Sequence, residues 1–343
     1  MSAQELEAIA RKLIAPARGI LAADESTGTI ERRFKSINVP NTEASRQAYR
    51  DMLFTTPGFG EYISGVILFD ETIRQKSLKG VPFTEVLTRS NSIPGIKVDA
   101  GAKPLPFAPD EMTTEGLDGL PKRVKEYRDM GARFAKWRAV VTIGPGIPTR
   151  YCIETNAHAL ARYAAICVEG GLVPIVEPEV LMDADNTIET CFDVTEWTLK
   201  SVFNALYEQR VPLEQILLKP NMVVSGKKCP VQAGVRQVAE MTLKCLRRCV
   251  PPAVPGVVFL SGGQSDEDAT AHLNAMNQIG GNPWELSFSY GRALQAPSMK
   301  KWAGQAANVA AAQKIFHHRA KCNGAARHGR YTEQMETELV SAA

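Results

Sequence analysis

The chain has 343 residues, 44% of them hydrophobic and 22% charged, with a formal net charge of +3. That length can bury a large core, as one big α/β domain or two smaller ones, and the composition is that of an ordinary soluble globular protein. No long lysine and arginine cluster occurs, so nucleic acid and anionic membranes are not expected partners, while small anionic ligands fit.

Ser2-Ala3-Gln4-Glu5 has the form of a capping box, and Leu6, Ile9, Ala10, Leu13 and Ile14 follow at helical spacing. The charges at Glu5, Glu7, Arg11 and Lys12 interrupt anything like a signal-peptide core. No run is apolar enough to span a bilayer. Next comes Gly19-Ile20-Leu21-Ala22-Ala23-Asp24, an apolar run closing on a carboxylate before the hydroxyl-rich Glu25 to Thr29. This strand-then-loop grammar returns at Ile63 to Phe69, Gly95 to Asp99, Ala132 to Val140, Leu172 to Glu179, Ile216 to Asn221, Gly256 to Gly263 and Glu285 to Gly291. Between them, Asn156 to Glu169, Thr187 to Gln209, Gln232 to Cys249, Asp266 to Ile279 and Met299 to Lys321 read as helices, and Gly101 to Gly119 as an extended loop. Eight short apolar runs alternating with helices predict a (β/α)8 TIM barrel in a single domain. An open doubly wound sheet is the second choice, weakened because no Gly-x-Gly-x-x-Gly follows the first strand. The expected barrel covers about 17–321, with an added N-terminal helix and a C-terminal tail over about 322–343. Seven scattered cysteines fit reduced thiols in a cytoplasmic protein.

The strands carry their charges near their C-terminal ends, the face on which such barrels build active sites. Lys219 is the most telling. It closes the apolar run Ile216 to Leu218 and precedes Pro220, which favours extended geometry. Burial disfavours the charged form of a lysine, and a second cation nearby does the same, which is one route to a nucleophilic amine. Lys136 and Arg138 are two apart on one strand and share a face, as do Glu177 and Glu179 on the next. Chemistry is the favoured role for Lys219, Lys136 and Glu177, whereas Arg138 and Glu179 suit a structural ion pair equally well.

Two further loops look built for anions. Leu260-Ser261-Gly262-Gly263-Gln264-Ser265 joins hydroxyls to glycines that let backbone N–H groups approach a phosphate, and Ser289-Tyr290-Gly291-Arg292 adds a guanidinium. They follow strands seven and eight, where barrels commonly hold phosphate. The five histidines lie away from the strand ends and no pair has ligand spacing, while Cys245 and Cys249 share a helix face; no catalytic metal is expected.

Taken together, Leu21 to Gly28, Gly95 to Asp99, Phe134 to Arg138, Val173 to Glu179, Leu217 to Asn221, Phe259 to Ser265 and Ser289 to Leu294 closely resemble class I fructose-1,6-bisphosphate aldolases. The resemblance implies that Lys219 forms a Schiff base with the C2 ketone and Glu177 shuttles protons for dehydration. It implies that Asp24 assists the base step at the C4 hydroxyl, with Lys136 as electrostatic support and Glu179 and Arg138 in the same charge cluster. The C1 phosphate would meet Ser261, Gly262, Gly291 and Arg292; the far phosphate would meet Ser26, Thr29 and Lys97, with Arg32 and Arg33 near. No external cofactor or metal is implied, and the products would be dihydroxyacetone phosphate and glyceraldehyde 3-phosphate. The resemblance also implies a homotetramer and, among partners, cytoskeletal proteins such as actin; a scaffold role and a metal-dependent aldolase or isomerase are the competing readings. Two departures stand out. Thr29 replaces the family's usual serine, and Thr332 to Ala343 contains no aromatic residue where the family's tail ends in tyrosine, from which slower enamine protonation is expected.

Overall fold

The computed structural model describes residues 1–337. Eight parallel strands close into a barrel: β1 (Gly19–Ala23), β2 (Ile63–Leu68), β3 (Ile93–Lys97), β4 (Phe134–Val141), β5 (Val173–Val180), β6 (Leu217–Leu218), β7 (Gly256–Phe259) and β8 (Glu285–Tyr290). Each pairs with its neighbour in sequence, and β1 pairs with β8 to complete the ring. The arrangement is a (β/α)8 barrel, as the alternating pattern predicts, and not an open sheet.

Strand parity explains how one barrel can be greasy at one end and charged at the other. Successive side chains on a strand point to opposite faces, so residues two apart share a face. Ile20, Ala22, Ile67, Phe134, Val173, Ile175, Leu217 and Val258 form one interior apolar cluster. Advancing two residues from Ala22, Phe134, Ile175 and Leu217 gives Asp24, Lys136, Glu177 and Lys219. The same interior face therefore changes from hydrocarbon to charge within one step along four strands.

The N-terminal helix (Ala3–Leu13) completes the apolar end: Leu6, Ala10, Leu13 and Ile14 belong to the same interior cluster. Its start is fixed by the capping box expected from sequence. Ser2 Oγ accepts from the Glu5 N–H at 3.3 Å, and Glu5 Oε2 accepts from the Ser2 N–H at 2.6 Å. Phe134 fills the space at the bottom so tightly that a Cβ on Gly95 would lie 2.3 Å from its ring. A bare glycine on β3 is what admits the ring.

Three local readings change. The region after β3 is not wholly irregular, because Ala102–Pro104 and Met112–Thr114 pair as a small antiparallel ribbon. The helix expected from Asn156 starts earlier, at Arg150, where Thr149 accepts from the Cys152 N–H at 3.2 Å and caps it. The last helix is two, Arg292–Trp302 and Val309–Ala326. Ala303 and Gly304 are both left-handed, with φ of 45° and 74°, so helical geometry cannot pass through them. The expected tail thus begins inside a helix, and its last residues, 338–343, lie outside the described residues.

Among the described residues no helix is long and apolar enough to cross a membrane. All seven cysteines are buried.

Phe134→Ala should leave a void between the N-terminal helix and the barrel strands and cost about 3–5 kcal/mol. Urea denaturation followed by tryptophan fluorescence would register the change as an earlier midpoint, and an unchanged midpoint would contradict the plug.

Candidate active site

Charged side chains converge on a cavity of about 1340 Å³: Asp24 and Lys219 lie just past the ends of β1 and β6, whereas Lys136, Arg138, Glu177 and Glu179 lie within β4 and β5, not at their ends as expected. Asp24, Lys136, Glu177 and Lys219 lie at its floor, nearly out of solvent contact. Lys136 Nζ stands 2.7 Å from Asp24 Oδ2 and 3.2 Å from Glu177 Oε2. Lys219 Nζ stands 3.2 Å from Glu177 Oε1. Glu177 is therefore shared between two ammonium groups, one on each oxygen. Its Oε2 lacks a directed hydrogen bond among the described residues, so the Lys136 contact is one of charge more than of hydrogen-bond geometry.

The position of Lys219 follows from its neighbours. β6 has only two residues, and Pro220 has no N–H with which to extend the ladder. The Lys219 N–H still reaches the Val176 carbonyl at 2.8 Å, which keeps its side chain on the interior face of β6. The sequence leads one to expect a second cation near Lys219 and a carboxylate beside the pair; Glu177 stands between the two lysines.

Burial opposes ionisation of Asp24, but the ammonium groups of Lys136 and Lys219, with Lys97 beyond, outweigh it and hold the carboxyl well below the usual range. Burial likewise opposes ionisation of Glu177, and Lys136, Lys219 and Arg138 overcome it. Lys136 is also disfavoured as a cation by burial, and Asp24, Glu177 and Asp99 reverse that and raise its pKa. Each charge is tolerated because the others are present.

Around this floor stand the remaining sequence-derived candidates. Arg138 Nε donates to Glu179 Oε2 at 2.5 Å, a pair at the cavity wall. Ser26 Oγ donates to Thr29 Oγ1 at 3.2 Å, and an Arg32 N–H donates to the same oxygen at 3.3 Å. Lys97 Nζ lies 2.5 Å from Asp99 Oδ1. Ser261 is buried, Gly262 adopts φ of 57°, and the Arg292 guanidinium donates to the Gly262 carbonyl, tying the loops after β7 and β8 together. Gly291 faces Arg33, whose guanidinium pairs with Glu25. All fifteen candidates line the one cavity.

Four groups had not been singled out. Glu25 is gripped by Arg33 and, at 2.6 Å, by Arg50. Asp99 accepts from Lys97 and, at 3.0 Å, from the Gly101 N–H. Ser289 Oγ is buried at the cavity and has no hydrogen-bond partner among the described residues. Strand-end position was the available signal for Asp99 and Ser289. Nothing local announces Arg50, which arrives from the helix Glu43–Phe54.

The fold and site define a (β/α)8 barrel with buried amines and carboxylates at the floor of one large cavity and serines, glycines and arginines at its mouth. The family model for class I fructose-bisphosphate aldolase matches residues 5–343. A probable class 1 fructose-bisphosphate aldolase of Xanthomonas axonopodis pv. citri is 58% identical over 332 residues, 96% of this chain and 99% of that protein. Fructose-bisphosphate aldolase 1 of Toxoplasma gondii is 56% identical over 331 residues, 96% of this chain and 91% of the relative. In three dimensions the chain resembles fructose-bisphosphate aldolase from Plasmodium falciparum, solved with TRAP and a small-molecule inhibitor. The TM-score is 0.95 and the identity 51%, covering 96% of this chain and 95% of that one. The chain belongs to the class I fructose-bisphosphate aldolase family and is a lyase with that family's activity.

Lys136→Met would leave Asp24 and Glu177 without their principal counterion, a loss of about 3–5 kcal/mol near neutrality. Both carboxyls are depressed in the folded chain, so their contribution is present above the unfolded carboxylate range, about pH 4, and disappears as pH falls through the folded values. The stability gap between wild type and variant should therefore be widest at pH 7 and narrow between pH 5 and pH 3. Urea midpoints at the three pH values test this, and a constant gap would contradict it.

Proposed function

We propose that the chain cleaves fructose 1,6-bisphosphate reversibly through a Schiff base on Lys219. The observation that carries this reading is Glu177, placed 3.2 Å from each of two buried ammonium groups. A carboxylate so placed can move a proton to or from whatever replaces the Lys219 ammonium.

The Lys219 ammonium passes a proton to Glu177, the free amine attacks the C2 ketone, and a nitrogen proton moves to the ketone oxygen to give the carbinolamine. Glu177 then returns its proton to that hydroxyl, which leaves as water as the iminium forms. While the carbinolamine nitrogen is neutral, Glu177 has lost one of its cations and binds a proton more readily; when the iminium forms, the pairing is restored. Removal of the C4 hydroxyl proton, assisted by Asp24, breaks the C3–C4 bond. The electron pair flows to the iminium nitrogen and gives an enamine, while the aldehyde half departs as glyceraldehyde 3-phosphate. Protonation at C3 and hydrolysis release dihydroxyacetone phosphate and regenerate Lys219. Lys136, held by Asp24 and Glu177, offsets negative charge as the hydroxyl ionises. The protonated imine is the electron sink, so this route needs no metal.

Arg292 and Arg32 suit the two phosphates because each donates to a neutral oxygen, on Gly262 and Thr29, rather than to a carboxylate. Ser261 and Gly262 join Arg292 and Gly291 at the C1 phosphate; Ser26, Thr29 and Lys97 serve the far one, with Arg33 between the loops. A cytoplasmic setting suits the buried thiols, and a relative in Arabidopsis thaliana is named as cytosolic. A homotetramer and cytoskeletal partners belong to the same family reading.

Borohydride added with dihydroxyacetone phosphate, in chelator, should reduce the imine and leave a substrate-dependent adduct on the Lys219 peptide, detected by mass spectrometry. Lys219→Met should lose the adduct and about 10⁴-fold or more in kcat. Glu177→Gln should lose about 10²–10⁴-fold in kcat with a smaller change in KM. A folded wild-type protein that cleaves substrate without forming the adduct would overturn the mechanism.

A further inference from the structure

Cys245 and Cys249 share a helix face, but among the described residues the group that brings three different potential metal donors together is His318, Cys322 and Glu336. His318 and Cys322 are four apart on the helix Val309–Ala326 and so lie on one face. His318 Nε2 and Cys322 Sγ are 3.5 Å apart. The short helix Gln334–Thr337 brings Glu336 to the same place, and one ligand atom from each of the three lies within 4.8 Å of the others. None of the three lines the barrel-mouth cavity.

We propose that His318, Cys322 and Glu336 form a binding site for a zinc-class divalent cation that joins the chain's C-terminal segment to the last long helix. The donor set is one thiolate, one imidazole nitrogen and one carboxylate oxygen, which suits zinc and is foreign to magnesium or calcium, whose ligands are oxygens. A tetrahedral zinc ion with nitrogen at about 2.0–2.1 Å and sulfur at about 2.3 Å holds those two atoms about 3.5 Å apart. The helix already supplies that spacing.

The outer partners are also in place. Arg319 donates to Glu336 and is itself fixed by the Asp266 carbonyl at 2.8 Å and the Thr270 hydroxyl at 2.7 Å, so the carboxylate's orientation is set from behind. Cys322 is buried, and His318 and Glu336 are half-buried. The thiolate cancels one of the ion's two charges as its proton passes to solvent; Glu336 is already paired with Arg319, so binding adds one positive charge, shared with the half-exposed side of the cluster.

The test uses the full-length enzyme stripped with chelator, then titrated with zinc in competition with a chromophoric chelator, and with cobalt as a spectroscopic stand-in. Wild type should bind one equivalent tightly. The cobalt form should show intense tetrahedral visible bands and a thiolate-to-metal charge-transfer band, and zinc X-ray absorption should find one sulfur at about 2.3 Å. Cys322→Ser and His318→Gln should each weaken that equivalent at least about 100-fold while fructose bisphosphate cleavage reports an intact fold. Cys167→Ser, which removes a buried thiol outside the cluster, should bind as wild type does. A wild-type enzyme that takes up no such equivalent, or a cobalt spectrum without sulfur, would overturn the site. So would unchanged affinity in His318→Gln, the half-buried position least apt to disturb folding.

Discussion

The sharing of Glu177 by two buried ammonium groups is the constraint on which the site depends. Ions removed from water lose several kcal/mol of hydration each, and mutual attraction offsets that only when partners are close and few charges are left over. Asp24, Lys136, Glu177 and Lys219 meet that condition with two positive and two negative groups within direct contact. Removing one member leaves a remainder the surroundings cannot solvate. The same dependence makes the cluster responsive, because covalent change at one nitrogen shifts the proton affinity of the carboxylate beside it.

A closed parallel barrel is suited to hold such a group. Its interior is lined by alternate residues of every strand, so a single step of two residues on β1, β4, β5 and β6 changes the lining from Ala22, Phe134, Ile175 and Leu217 to the four charges. The hydrocarbon below supplies rigidity and excludes water from one side. The loops above, free of ladder hydrogen bonds, carry the hydroxyls, glycines and guanidiniums suited to phosphate.

Much of this was legible in sequence, because the period of two on a strand is exact enough to place Lys136 and Arg138, or Glu177 and Glu179, on a common face. The eight apolar runs gave the barrel for the same reason. Helix ends were less legible. The break after Trp302 combines a left-handed alanine, which residue preference does not announce, with Gly304, which is a helix-stop signal, and the early start at Arg150 rests on a threonine cap hidden among polar neighbours. Contacts across the fold were least legible: Arg50 reaches Glu25 from a different helix, and Glu336 reaches His318 and Cys322 from beyond the end of theirs. Both depend on tertiary packing, which spacing along the chain does not encode.

The N-terminal helix has a kinetic meaning as well as a structural one. By seating Leu6, Leu13 and Ile14 against the bottom layer, it makes the barrel a blind-ended vessel and not a conduit. Traffic at the barrel is then two-way through one mouth: substrate enters, and both fragments leave, past the same arginines. On the proposed mechanism a fragment still inside would obstruct the next arrival, and the piece bonded to the floor would leave last.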